Sequence, residues 1–340
     1  NNQDGYIRKS YKKSRFAGFL NRFVFWIGLL KYQLKNPSEF VHAFSDCGFI
    51  YTFFRKLYLI STVFDIENRG LKKLGLWGIL VPIRAFYYSA TTTRIIKKST
   101  IVTSGGEDNS NELIDIFACN AAKIKILSNA LDKKYIEKFA ANQPLNNNIT
   151  TDQGISLISI GRLEQLKNPL LLLDVFKLVI KKNQFKCKLN IIGDGPLKSE
   201  VIKKIDEINF QYPNSVSLQS NVKEEDKMQR LIDSDLYINL AETRYMLLVV
   251  MEAMVCSLPV FTSYPLDGVV KEKVNGIIFN SESPNEIADR LSKYINENDL
   301  ESMGRESYKI IKKYTWENTA RQGEVMYSGA HLPATNVSKI

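Results

Sequence analysis

Histidine is nearly missing from this chain, with two in 340 residues, His42 and His331. The four cysteines, Cys47, Cys119, Cys187 and Cys256, lie far apart. Neither set has the clustered spacing that holds zinc or iron, so no resident metal or other cofactor is expected. Scattered cysteines also fit a reducing, cytosolic setting. Long apolar runs are missing too. The longest early one, Phe23 to Leu30, has eight residues, whereas a bilayer crossing needs about twenty. No secretory leader is visible in the opening Asn-Asn-Gln-Asp. A P-loop, an HExxH pair and a Ser/His/Asp signature do not occur, which leaves chemistry that announces itself less locally. Both histidines read as solvated or core residues.

What is present is a chain with 44% hydrophobic and 24% charged residues, enough to bury two cores, and two domains are the natural expectation. Charge is unevenly placed. Residues 1–150 carry 22 Lys and Arg against 11 Asp and Glu, while residues 151–340 carry 24 against 25, so the whole net charge of +10 resides in the first half. A basic half beside a neutral one points to an anionic partner there, whether a membrane surface, nucleic acid or an acidic substrate. Basic Lys12, Lys13, Arg15, Arg22, Lys31 and Lys35 flank the Phe23–Leu30 run, with aromatic residues interleaved. That pattern fits an interfacial helix or a core helix with a solvated flank.

Short β-branched runs alternate with helical patterns along the whole chain. In the second half the strands fall at Ser156–Ile160, Lys188–Ile192, Val216–Gln219, Leu236–Leu240 and Val260–Thr262, with helices between them and from Pro284 onward. This alternation predicts a parallel, doubly wound sheet whose ligands sit at the carboxyl ends of the strands. The first half alternates less regularly: a helix over 16–34, strands near Tyr58–Phe64, Thr100–Thr103 and Ile124–Leu127, and helices over 76–97 and 109–119. Residues 139–154, polar and rich in Asn, read as the connection between domains 1–150 and 151–330, with 331–340 as a tail.

Three segments carry chemistry. Leu247 to Cys256 is apolar except for one carboxylate, Glu252. An acid taken from water without a partner costs several kcal/mol, so Glu252 is expected to meet water, a cation or a hydroxyl-bearing ligand, unless it marks the solvated edge of the helix. The segment Gly161-Arg162-Leu163-Glu164-Gln165-Leu166-Lys167-Asn168-Pro169 leaves a strand and enters a helix. Asn168 is placed to cap that helix and Pro169 to begin it. Arg162 and Lys167 then offer two cations beside a helix entrance, a setting suited to a diphosphate but also to ordinary surface charge. Gly193-Asp194-Gly195-Pro196 closes the next strand; without the third glycine of a dinucleotide fingerprint, it reads as a tight turn that lets a ligand approach the backbone.

Together these segments resemble the family 4 retaining glycosyltransferases, of the two-domain GT-B type. The resemblance rests on Gly161, Arg162, Leu163 and Lys167, on Gly193 to Pro196, and on Glu252-Ala253-Met254 followed by Pro259-Val260. It is strong over about 156–280 and weaker upstream, where Ile126 to Asp132 looks like the family's V-I-P-N-G-V-D segment. Trp316-Glu317 looks like the W-E of the final helix, which in that fold returns towards the first domain. The resemblance implies a GT-B α/β fold of two Rossmann-like doubly wound domains. It implies transfer of a sugar from a nucleotide-diphosphate-sugar to a glycan or lipid-linked acceptor, in cell-envelope polysaccharide synthesis, by a cytoplasmic protein peripheral on the inner face of the membrane. By the same resemblance Arg162 and Lys167 face the donor diphosphate, Gly193 and Gly195 line the donor site, Glu252 accepts from the ribose hydroxyls, and Leu247 and Leu248 stand where backbone amides meet phosphate and sugar.

The chain also departs from the family pattern. Eight residues before Glu252 stands Arg244 in place of the family's first glutamate, and the nearest carboxylate, Glu242, is two residues earlier. The family's G-F-G is Tyr245-Met246-Leu247, and its His-Asp pair is Phe64-Asp65. Glu242 and Asp65 are therefore the candidate catalytic carboxylates. The first strand and its Gly-rich acceptor loop have no counterpart before residue 16, so the N-terminal domain is expected to be incomplete. A protein that binds nucleotide, glycan or a partner enzyme without transferring sugar, or a nucleotide-sugar epimerase on the same fold, remains an alternative.

Overall fold

The computed structural model describes residues 15–37, 40–54, 57–62, 90–140, 154–182, 186–242, 247–280, 282–297 and 300–328. The expected helix over 76–97 is described only from residue 90. Asp65, Arg244, Tyr245, Met246 and most of the 139–154 connection lie outside the described residues. The chain divides into two compact units, Asn1–Thr103 with Phe117–Ile124, and Ser104–Ile116 with Lys125–Ile340.

The first unit opens with a helix, Arg15–Lys35, one residue longer at each end than its pattern predicts. It buries Trp26 and leaves Phe25, Ile27, Tyr32 and Leu34 exposed. Among the described residues no helix is long and apolar enough to cross a membrane. Strands β1 (Phe40–Phe44), β2 (Tyr58–Thr62), β3 (Ile101–Ser104) and β4 (Ile124–Ile126) form one sheet in that order, with β1, β2 and β3 parallel. His42 sits on β1 with its Nε2 2.7 Å from the Thr62 hydroxyl on β2, a strand-to-strand bond, and burial lowers its basicity.

The second unit is built on a six-stranded sheet. Its strands are β5 (Ile155–Ile160), β6 (Cys187–Ile192), β7 (Val216–Gln219), β8 (Leu236–Asn239), β9 (Val260–Thr262) and β10 (Gly276–Ile278). All neighbours are parallel, in the order β10-β9-β8-β5-β6-β7. Because side chains alternate across a strand, the sheet feeds two cores. Ile155, Leu157, Leu236, Ile238 and Phe261 point into one, with helices Pro169–Lys182, Lys198–Gln211 and Pro284–Glu297. Ile158, Tyr237 and Val260 point into the other, with helices Glu224–Ile232, Leu248–Val255 and Leu300–Ile311.

Reading the strands in chain order, the sheet runs 6-5-4-1-2-3. Its direction of winding reverses between β5 and β8, and the crevice outside the carboxyl ends of two such strands is where open α/β sheets bind ligands. The buried Tyr237 hydroxyl of β8 donates to the Ile160 carbonyl of β5 at 3.3 Å, joining the two strands at that point.

The structure adds one strand to those expected and corrects one cap. Although Gly268 and Asn275-Gly276 are residues typical of turns, Gly276 opens β10 and pairs with Val260. Asn275 makes this edge: wholly buried, it accepts from the Lys271 N–H at 2.7 Å and donates to the Val269 carbonyl at 3.1 Å. A polar pair that reads as surface turn is the buried entry to an edge strand. Asn168, expected to cap with its side chain, instead adopts the left-handed conformation at φ 48° and donates Nδ2 to the Leu240 carbonyl at 3.1 Å. Only its carbonyl takes the first helical bond, from Leu172 N–H.

Candidate functional site at the β5–β8 crevice

Two loops meet at the reversal point. The loop after β5 runs from Gly161 through a short 3-10 turn, Gln165–Lys167, to Asn168. The loop after β8 begins Leu240-Ala241-Glu242. Glu242 N–H donates to the Leu166 carbonyl at 2.8 Å, while its Oε1 lies 3.5 Å from Asn168 Nδ2. Left-handed Asn168 is what lets one side chain reach both Leu240 and Glu242; Asn adopts that conformation more readily than other residues with a Cβ. Asn239, at the end of β8, spends Oδ1 on Ala241 N–H, and its buried Nδ2 finds no acceptor among the described residues. An unfilled buried donor costs about 1–3 kcal/mol, which makes this strand end receptive to an oxygen-rich ligand.

Gly193 and Gly195 make room for a neighbouring loop. A Cβ on Gly193 would stand 2.1 Å from the Gly161 carbonyl oxygen, and one on Gly195 would stand 2.5 Å from that of Leu163. Their missing side chains let the β6 turn nest against the β5 loop. Backbone bonds close the contact: Gly161 N–H to Ile192, Leu163 N–H to Asp194, and Leu197 N–H back to Leu163, at 2.9–3.0 Å. Asp194 accepts from Gly195 N–H at 2.8 Å and from Lys198 at 2.9 Å, which holds its carboxyl below the ordinary range. The β5 loop is thus braced from both sides, by the β6 turn and by Glu242. On it, Arg162 is 72% exposed and only loosely engaged with Glu164 at 3.4 Å, while Lys167 is half-buried at the end of the 3-10 turn.

Glu252 lies one helix away, on Leu248–Val255. Leu247 stands at the N-cap position of that helix with extended backbone and packs against the core, and Leu248 is exposed. The Glu252 side chain is 13% exposed, so it is no solvated edge. It meets a cation: Lys227 Nζ lies 2.7 Å from Oε2. Lys227 also bonds Glu224 at 2.9 Å, and Glu224 accepts from the Tyr135 hydroxyl at 2.7 Å. Burial raises the Glu252 carboxyl, and the Lys227 ammonium only partly opposes it. Burial likewise pulls on Lys227, but two carboxylates outweigh it and its net shift is upward.

Sequence reasoning did not find Lys227, Glu224 or Tyr135. In Glu224-Glu225-Asp226-Lys227 the lysine looks like one more surface charge. The available signal was topological: the helices before and after β8 share one face of the sheet, so a cation on the first can reach an acid on the second.

A separate cavity of about 360 Å³ in the same unit, lined among others by Gly106, Glu107, Ser128, Asp267, Lys313 and Asn318, contains none of the candidate donor-site or catalytic residues, although Ile126 and Ser128 of the Ile126–Asp132 segment line it. Above it the final helix, Trp316–Ser328, is anchored by mutual backbone bonds between Leu131 and the Tyr314–Trp316 segment.

Comparison with known proteins bears on the fold and the family. The chain is 28% identical over 219 residues to an uncharacterised glycosyltransferase of Methanocaldococcus jannaschii, covering 60% of this chain and 51% of that protein. It is 25% identical over 219 residues to the poly(ribitol-phosphate) alpha-N-acetylglucosaminyltransferase of Staphylococcus aureus, covering 62% and 43%. The chain thus spans about half the length of these curated relatives. Among solved structures, Anabaena HepE in complex with UDP superposes with a TM-score of 0.67 at 12% identity, over 92% of this chain and 84% of that one. The likeness establishes the GT-B fold class. The family Glycosyl transferases group 1 matches residues 137–314, more than half the chain and the whole of the β5–β8 crevice, and the chain belongs to that family.

Proposed function

We propose that this protein is a retaining, family 4 glycosyltransferase that takes a sugar from a nucleotide-diphosphate donor and passes it to a glycan or lipid-linked acceptor in cell-envelope polysaccharide synthesis. The observation that carries the proposal is the braced loop pair at the β5–β8 reversal, which presents Arg162 and Lys167 at a strand end beside the orphaned Asn239 amide. A diphosphate leaving group gathers negative charge as the sugar departs. Two cations on a loop that does not have to reorganise stabilise that charge at about 1.5–3 kcal/mol for each charge-assisted bond. Glu252 accepts from the ribose hydroxyls, Leu247 and Leu248 contribute backbone near the phosphate and sugar, and Glu242, tied to the same loop pair, stands nearest the reacting sugar. Asp65 is the acceptor-side carboxylate. No metal is required for this charge balance.

The acceptor follows from charge and kinship. The basic first half suits an anionic acceptor or an anionic membrane surface, and the Staphylococcus aureus relative is named for a polymer of ribitol phosphate. The protein would work from the cytoplasmic side, peripheral to the inner face of the membrane. Arg244 at the position of the family's first glutamate supports a second reading, a protein that binds the nucleotide or a glycan but has lost transfer. Incubating the chain with labelled UDP-, GDP- and ADP-sugars, with and without lipid-linked and polyol-phosphate acceptors, separates the two. Acceptor-dependent transfer with retained anomeric configuration supports the enzyme, whereas tight nucleotide binding without transfer or hydrolysis overturns it in favour of the binding protein.

A further inference from the structure

We infer that Lys227 is a positioning residue which holds the Glu252 carboxylate in place as the acceptor for the vicinal diol of a bound nucleoside. The inference rests on the donor-site reading above and adds to it a residue outside the matched motifs. Four facts carry it. Lys227 reaches Glu252 from a different helix at 2.7 Å, so the contact is tertiary and not a helical neighbour pair. Both side chains are largely withdrawn from water, at 17% and 13% exposure. Lys227 is fixed on its other side by Glu224, itself fixed by the Tyr135 hydroxyl, so the ammonium cannot swing away freely. The lysine contacts one carboxylate oxygen of Glu252, Oε2, which orients the group while leaving lone pairs for a ligand.

The groups around Glu252 come from each neighbouring element. Lys227 and Glu224, on helix Glu224–Ile232, act on its charge, while Tyr135 on helix Lys133–Ala140, Tyr237 on β8 and Cys256 at the end of the Glu252 helix lie within reach of that charge and are neutral groups raised by it. Helix Leu300–Ile311 brings Tyr308 to the same cluster. Lys227 alone draws the Glu252 proton off; burial and Glu224 both favour keeping it. Remove Lys227 and the carboxyl rises further. A protonated carboxyl has less acceptor capacity for two hydroxyls, so nucleotide affinity then falls as pH drops through the raised value.

The test is calorimetric titration of the intact chain with UDP, ADP and GDP between pH 5.5 and 8.5, repeated with the 2′-deoxy form of whichever nucleotide binds. In the unmodified chain the ribo form is expected to bind about tenfold more tightly than the deoxy form. In Lys227→Met that preference is expected to shrink and to be lost at higher pH than in the unmodified chain, while Lys227→Arg keeps both the preference and its pH profile. Lys227→Gln, which removes the charge but keeps a polar side chain, is expected to shift the profile in the same direction and remains informative where Lys227→Met does not fold. A merely structural lysine would alter stability but not the ribo-to-deoxy ratio. An unchanged ratio and pH profile in a folded Lys227→Met, or in Lys227→Gln where Lys227→Met does not fold, overturns the role of Lys227 and leaves the donor site standing. No binding of any nucleotide to the unmodified chain overturns the donor site, and this role with it.

Discussion

The two charged parts of the candidate site, the β5 loop and the Glu252 helix, are built on opposite plans. At the β5 end the backbone does the fixing: Gly193 and Gly195 nest against Gly161 and Leu163, Glu242 N–H locks the loop, and Arg162 stands out in water. At the helix end the side chains do it, with Glu252 withdrawn from solvent and held by Lys227, Glu224 and Tyr135. The first end keeps a charge free by making its scaffold rigid. The second keeps a charge buried by giving it an internal counter-ion. Mutations should therefore separate stability from binding differently at each end.

Lys227→Met attacks the second plan and has the largest expected effect on stability. It leaves a mostly buried carboxylate without its cation, and the loss should be about 2–3 kcal/mol, at the low end for a broken buried pair because some solvent reaches both groups. A urea midpoint measured at pH 8 checks it. Gly193→Ala attacks the first plan. Its Cβ meets the Gly161 carbonyl oxygen at 2.1 Å, which is backbone and cannot turn aside, so a cost of about 1–3 kcal/mol is expected, with nucleotide binding weakened as the loop shifts. Arg162→Ala should leave the unfolding free energy from urea titration within about 0.5 kcal/mol, as for other exposed positions, yet weaken UDP binding about tenfold. If Arg162→Ala destabilises the chain as much as Lys227→Met does, the contrast between the ends is wrong. The smallest effect is chemical. Burial pushes the thiols of Cys187 and Cys256 up to about 12 and also raises Cys119. These three should label slowly with a thiol reagent at pH 8 and promptly in denaturant. Cys256 ends the Glu252 helix, so faster labelling there in Lys227→Met would report loosening of that end.

This contrast also explains what could be read from the chain. The strands from β5 to β9 and their helices were legible because buried parallel strands are short, β-branched and regularly spaced, and the crevice follows from their order. β10 was not, because its signal is Asn275-Gly276, a pair typical of turns that here is buried and paired. The backbone-built end was legible as glycines and a proline at strand ends, though not the neighbouring loop for which Gly193 and Gly195 make room. Glu252 was legible as an acid in an apolar run. Its counter-ion was not, since Lys227 sits among acids on an amphipathic helix and only the fold shows that it turns inward. The N-cap expected of Asn168 failed because its side chain had a longer-range partner at Leu240.

The central claim is that both parts of the candidate site grip one nucleoside diphosphate. Calorimetric titration of UDP, ADP and GDP, each alongside its parent nucleoside, into the intact chain, Arg162→Ala and Glu252→Ala tests it most directly. The account predicts that one diphosphate binds, that Glu252→Ala weakens both it and its nucleoside about tenfold, and that Arg162→Ala weakens only the diphosphate. Equal affinities in all three proteins, or no binding by any of the diphosphates, would contradict it.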